Sequence, residues 1–81
     1  MRPEILFQLT LHNRATTILK EGIFIRQIPL EDCCRALYLM AGYYYELTLS
    51  TDESELLYVS FIEESDVEFI FPGKDEFDKR E

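Results

Sequence analysis

Hydrophobic positions near the start of the chain recur at helical spacing: Phe7, Leu11, Ala15 and Ile18 fall on one helix face. Pro3 suits a first helical turn, and Glu4 sits where the positive end of the helix dipole favours an acid. Lys20-Glu21-Gly22 reads as a last turn followed by a glycine just past the helix end. A second pattern overlies the first. Ile5, Phe7, Leu9 and Leu11 alternate with Glu4, Gln8 and Thr10, which predicts a strand over 4–11 and then a short helix over 14–21 capped by Asn13. The single N-terminal helix is the preferred reading.

After Gly22 the period changes. IFIRQI (23–28) is rich in β-branched residues and Pro29 stops it. Residues 29–32 form a loop. Leu30, Cys33, Leu37 and Met40 have helical spacing, yet Ala41-Gly42 stands between two aromatic-aliphatic runs and reads as a hairpin turn. The hairpin predicts strands at 33–40 and 43–50. Residues 51–54 make the next turn, followed by a strand at 55–62; Ser50-Thr51-Asp52-Glu53 also fits a helix capping box, which leaves a helix open there. VEFIF (67–71) predicts a last short strand, ended by Pro72-Gly73. The expected fold is α+β, one N-terminal helix packed on a four- to five-stranded antiparallel β-meander. It forms one domain over 1–73, with a charged, frayed tail over 74–81.

Alternation then assigns faces. Tyr43, Tyr45, Leu47 and Leu49 share one face with Ala36, Tyr38 and Met40, joined by Ile23 and Ile25 and covered by the helix. On this phase Tyr45 and Leu47 are buried and Glu46 is not. The opposite face is expected to be polar, but Phe24, Leu37, Leu39 and Tyr44 line up there, flanked by Arg26, Arg35, Glu46 and Thr48. These residues make an apolar patch with a charged rim, the candidate interface. The same register sets Arg26 opposite Arg35, a like-charge pair that Glu46, diagonal to Arg35, offsets. The C-terminal Phe69, Phe71 or Phe77 would cover this face if it belongs to an internal core.

The pattern NRATTILKEGIFIRQ…RALYLMAGYYYEL resembles small uncharacterised proteins of Bacteroides-type bacteria. In these a helix ends at a glycine, a strand follows, and a Leu-Tyr strand leads into an aromatic-aromatic-Val-Glu strand. The matching positions are Gly22, Phe24, Leu37, Tyr38, Tyr44, Tyr45, Glu46 and Leu47, within residues 13–50. Tyr45 stands where that pattern more usually has Val. The resemblance implies the helix-then-sheet order and no activity.

Composition narrows the functional classes. The 47% hydrophobic and 14% aromatic content supports a packed core in 81 residues, so disorder is excluded. No run of about 18 apolar residues exists, and Glu4 and Gln8 interrupt what would be a signal segment, so a cytoplasmic protein is expected. The charge is uneven. Residues 1–35 carry five bases and four acids, residues 36–73 carry eight acids and no base, and residues 74–81 carry three bases and four acids. Such a chain has no basic footprint for direct nucleic-acid binding. Cys33 and Cys34 are adjacent, point to opposite faces of a strand, and lack the gap that lets two cysteines share a zinc. His12 is the only histidine, the acids at 52–55 lack the spacing of a calcium loop, and the three glycines form no phosphate loop. No catalytic residue, metal or cofactor is expected. The residues point to a non-enzymatic protein-interaction module, self-associating as a dimer or binding a protein partner through Phe24, Arg26, Arg35, Leu37, Leu39, Tyr44 and Glu46. Two alternatives stand beside it: an acidic nucleic-acid mimic that inhibits a DNA- or RNA-binding protein, and a small-ligand domain lined by tyrosines.

Overall fold

The structure, a computed structural model, describes residues 2–72. The chain begins with two helices, α1 (Pro3–Leu6) and α2 (Leu11–Glu21), in place of the single one expected, and no strand forms at 4–11. Pro3 opens α1. The break follows from Thr10, whose backbone is extended and whose hydroxyl accepts from Asn13 N at 3.2 Å. Thr10, rather than Asn13, is therefore the cap of α2. The break turns Leu6 into the core, where it is fully buried with Ile18, while Leu11 is left 38% exposed. Arg14 ties α2 to the break: its Nη2 donates to Phe7 O at 3.2 Å and its guanidinium lies 4.8 Å over the Phe7 ring.

Gly22 does end α2, for a reason other than a left-handed cap. Its φ of −87° is ordinary, but a Cβ there would stand 2.6 Å from Ile18 O. The absence of a side chain is what lets the chain leave the helix tightly.

Four strands follow: β1 (Ile23–Pro29), β2 (Cys34–Met40), β3 (Tyr43–Leu49) and β4 (Leu56–Ile62). They form an antiparallel meander in the order β1-β2-β3-β4. The β2–β3 hairpin has the expected register, with Met40 opposite Tyr43, Leu39 opposite Tyr44 and Tyr38 opposite Tyr45. Ala41 and Gly42 have φ of 52° and 85°, the doubly left-handed turn that matches strand twist. Tyr45, Leu47, Met40 and Val59 pack under Leu6, Ala15 and Ile18, with Phe7, Tyr38 and Tyr43 at the margin.

Two expectations about β1 fail together. The register shifts between Phe24 and Arg26, so Ile25 is an extra, bulged residue. Phe24 therefore pairs with Tyr38 and lies on the helix side, and Arg26 pairs with Leu37 rather than Arg35. Ile23 and Ile25 stay 63% and 41% exposed instead of joining the core. A one-residue slip exchanges the faces of a strand, and here it also removes the like-charge pair.

The last element is a helix, α3 (Glu64–Ile70), where a fifth strand was expected over 67–71. Glu64 and Asp66 occupy its first turn, where acids suit the dipole, and Pro72 follows its end. Val67, Ile70 and Phe71 recur at helical spacing, and only Phe71, at the C-cap, is fully buried. The tail 74–81 and Phe77 lie outside the described residues.

Leu47→Ala should destabilise the protein by about 2–4 kcal/mol, as large-to-small core changes do. Leu11→Ala, at an exposed position, should cost under about 1 kcal/mol. Denaturant melts of the two variants check this; equal losses would place Leu11 in the core.

Candidate functional site

The sheet face opposite α1 and α2 is built as three rows of paired residues. Ile23, Leu39, Tyr44 and Ile62 form the first. Arg26, Leu37, Glu46 and Ser60 form the second, and Ile28, Arg35, Thr48 and Tyr58 the third. The first row is apolar. The other two bring two arginines and a glutamate among apolar neighbours.

Glu46 is buried, 4% exposed, which corrects the expectation that it faces water. A carboxylate leaves water only when its charge is met. Arg35 meets it with two donors. Its Nε donates to Glu46 Oε2 and its Nη2 donates to Glu46 Oε1 at 2.9 Å. This is the forked geometry that arginine offers a carboxylate. Thr48 Oγ1 adds a longer contact to Oε2 at 3.4 Å. The bond to Glu46 raises the Arg35 pKa above its ordinary value, against the opposing effect of burial.

The end of α3 closes over this pair. The Phe71 ring is fully buried, with the Arg35 guanidinium 5.6 Å from its centroid. Arg26 Nη1 donates to Phe71 O at 2.8 Å, satisfying one of the carbonyls that a helix leaves open at its C-terminus. Leu37, between Arg26 and Glu46 in its row, is fully buried as well. Phe71 and Leu37 are thus both buried away from the core that lies under the helices.

Of the residues singled out in the sequence, six share this face: Arg26, Arg35, Leu37, Leu39, Tyr44 and Glu46. Phe24 does not. It lies on the other side, its ring 5.6 Å from that of Tyr38 in an edge-on arrangement. Leu37 and Glu46 are covered within the single chain, while Leu39 and Tyr44 are half-buried. Ile23 takes the place Phe24 was expected to fill. Its signal, a bulge in β1, leaves no trace in the hydrophobic pattern. Phe71 is the other residue the hydrophobic pattern misplaces: VEFIF reads as a strand by alternation, whereas Phe71 is the C-cap of α3.

The remaining polar groups fall into separate local arrangements. Gln27 Nε2 lies 2.8 Å from both Cys34 Sγ and Glu53 Oε2, joining β1 to the turn after β3. Cys34 is buried, Cys33 half-buried, and both are free thiols. In the turn, Asp52 Oδ1 accepts from Ser54 Oγ and Ser50 Oγ, each at 2.8 Å, and from Ser54 N at 3.1 Å. The Ser54 hydroxyl is the largest cause of an Asp52 pKa lowered to about 2, followed by the Ser50 hydroxyl and the Ser54 amide. Among the described residues, no three His, Cys, Asp or Glu side chains are grouped to hold a metal ion. No helix among them is long and apolar enough to cross a membrane.

Compared with protein-family models, curated proteins and solved structures, the chain shows no match.

Two outcomes follow from these charges. Glu46→Gln should destabilise by roughly 1–3 kcal/mol, since it leaves the half-buried Arg35 guanidinium without its counter-ion. The double change Arg35→Met with Glu46→Leu should recover most of that loss in denaturant melts, because no uncompensated charge remains. For Asp52 the folded pKa of about 2 lies below the ordinary 3.8, so the folded state binds fewer protons than the unfolded one in that interval. Its stabilising effect is complete above the unfolded value and is lost as the pH falls through about 2. Carboxyl NMR titration should find the Asp52 midpoint near 2, moving upward in Ser54→Ala. An unmoved midpoint would reject the hydroxyl as the cause.

Proposed function

We propose that the protein is a small acidic, non-enzymatic interaction module that self-associates through the part of the second sheet face that Phe71 leaves open. The observation that carries this reading is the apolar row Ile23, Leu39 and Tyr44. It has no charged member, and it begins at a residue 63% exposed on an edge strand. A contiguous apolar surface of this kind marks an association site more often than scattered single residues do. A second copy suits it because a two-fold axis sets the same apolar patch against itself, so each chain would cover the other's apolar side chains. A chain this short also gains proportionately more from added burial than a large one. The β1 edge itself is a poorer route, since the bulge at Ile25 and the charge of Arg26 blunt strand pairing there.

The reading as a nucleic-acid mimic has less support. A mimic needs acids spaced along one surface like phosphates. The acids of residues 36–73 instead gather in sequence just before and just after β4, apart from Glu46, whose charge Arg35 takes up.

Ile23→Lys tests the module. The side chain is exposed, so the fold should tolerate the charge, with a melting temperature in dilute solution close to the parent's. Sedimentation should show the parent as a dimer in both low and high salt and the variant as a monomer. A parent chain that sediments as a monomer at all concentrations would remove this reading.

A further inference from the structure

Both outer strands of the sheet have a free side among the described residues, but they differ in charge. β1 contains Arg26, a bulge and Pro29, three devices that discourage another strand from adding to it. β4 reads LLYVSFI, seven residues with no charge and no proline. Its exposed side chains lie on both faces of the sheet. Tyr58, opposite Thr48, is 66% exposed on the second face, and Phe61, opposite Tyr45, is 38% exposed on the helix side. A strand laid along this edge would find outward backbone groups to pair with and an apolar surface for its own side chains on either face.

The flanks decide what such a strand must be. Glu55 precedes β4, and Glu63 and Glu64 follow it, all three exposed, while the Glu53 carboxylate is turned toward Gln27 of β1. The two acidic ends are roughly 23 Å apart, the length of a seven-residue strand. A second copy of β4 would meet acid with acid at both ends whether it ran parallel or antiparallel. Self-pairing along this edge is therefore repelled in every orientation, and a different partner is selected. Residues 36–72 contain no lysine or arginine, so no cation in this stretch neutralises the acids.

We propose that the β4 edge accepts an extended, uncharged apolar strand from another protein, one flanked at both ends by lysine or arginine. This site adjoins the second sheet face, where Ile62 ends the apolar row, but its backbone pairing uses β4, the opposite edge from Ile23.

Two synthetic peptides test it, each with a core of alternating threonine and valine matched to β4 in length. One carries two lysines at each end, the other two glutamates. The lysine peptide should bind the full chain at least about tenfold more tightly than the glutamate peptide, with the difference shrinking as salt is added. Hydrogen exchange should show new protection of β4 amides and none on β1. The chain carrying Glu55→Lys and Glu63→Lys should reverse the preference. Both sites are exposed, and the Glu63 side chain makes no capping bond to α3, so folding should survive, as circular dichroism can verify. Equal binding of the two peptides, binding of neither, protection on β1, or a preference unchanged by the double charge reversal would each overturn the proposal. Testing the same peptides on Ile23→Lys separates this site from the dimer: binding should persist there, and its loss would mean that the edge does not act alone.

Discussion

The forked pair between Arg35 and Glu46 is the constraint around which the second half of the structure is arranged. A glutamate in the middle of a central strand has sheet neighbours on both sides and little access to water. Its charge has to be met at that spot or not at all. Arg35 can meet it because the β2–β3 register sets the two residues diagonally, one pair apart. Once neutralised, the pair presents a flat, delocalised guanidinium to the space above the sheet. Phe71 fills that space, and Arg26 holds its carbonyl. A seven-residue helix such as α3 is too short to persist alone in water. Its stability is borrowed from these contacts at its last turn, so the polar cluster and the helix depend on each other.

This arrangement also answers how a thin sheet with two apolar faces remains one folded unit. The helix layer covers one face and the C-terminal segment covers the centre of the other. The burial of Tyr45 on one side and of Leu37 on the other, both at 0% exposure, shows that the middle strands are enclosed from both directions. Enclosure fails toward β1, where Ile23, Phe24 and Ile25 are all more than 40% exposed. The sheet is thus well sealed at its centre and open along one margin, which is where the apolar row begins.

Much of the sheet was legible because it depends on local signals. The Ala41-Gly42 turn sets the pairing of β2 with β3 directly, and the three consecutive tyrosines follow from alternation: Tyr45 inward under the helices, Tyr43 at the same margin, Tyr44 on the far side. What was not legible depended on residues far apart. The bulge at Ile25 leaves the hydrophobic pattern of β1 unchanged while reversing what part of it faces. The burial of Glu46 requires Arg35 and Phe71 to arrive together, and hydrophobic alternation assigns a glutamate to water by default. The segment 67–71 satisfies strand and helix periods equally well. Tertiary contact decided between them, since only the helix delivers Phe71 to the site where two arginines wait.

The same separation of local from distant effects applies to the charge. Eight acids without a base in residues 36–73 read as one acidic half, yet the fold divides them into different physical roles. Glu46 is neutralised inside. Asp52 is held ionised by serine hydroxyls and closes the turn before β4, and Glu64 and Asp66 favour the start of α3. Glu53 is drawn to Gln27, linking that turn to β1. What remains brackets the one strand that lacks any charge of its own. Acids at both ends of an apolar edge strand keep copies of that strand apart, because repulsion between like ends acts in either orientation. A repulsive frame of one sign is at the same time an attractive frame for the other sign, so protection against self-pairing along β4 and selectivity for a basic-flanked strand arise from the same side chains.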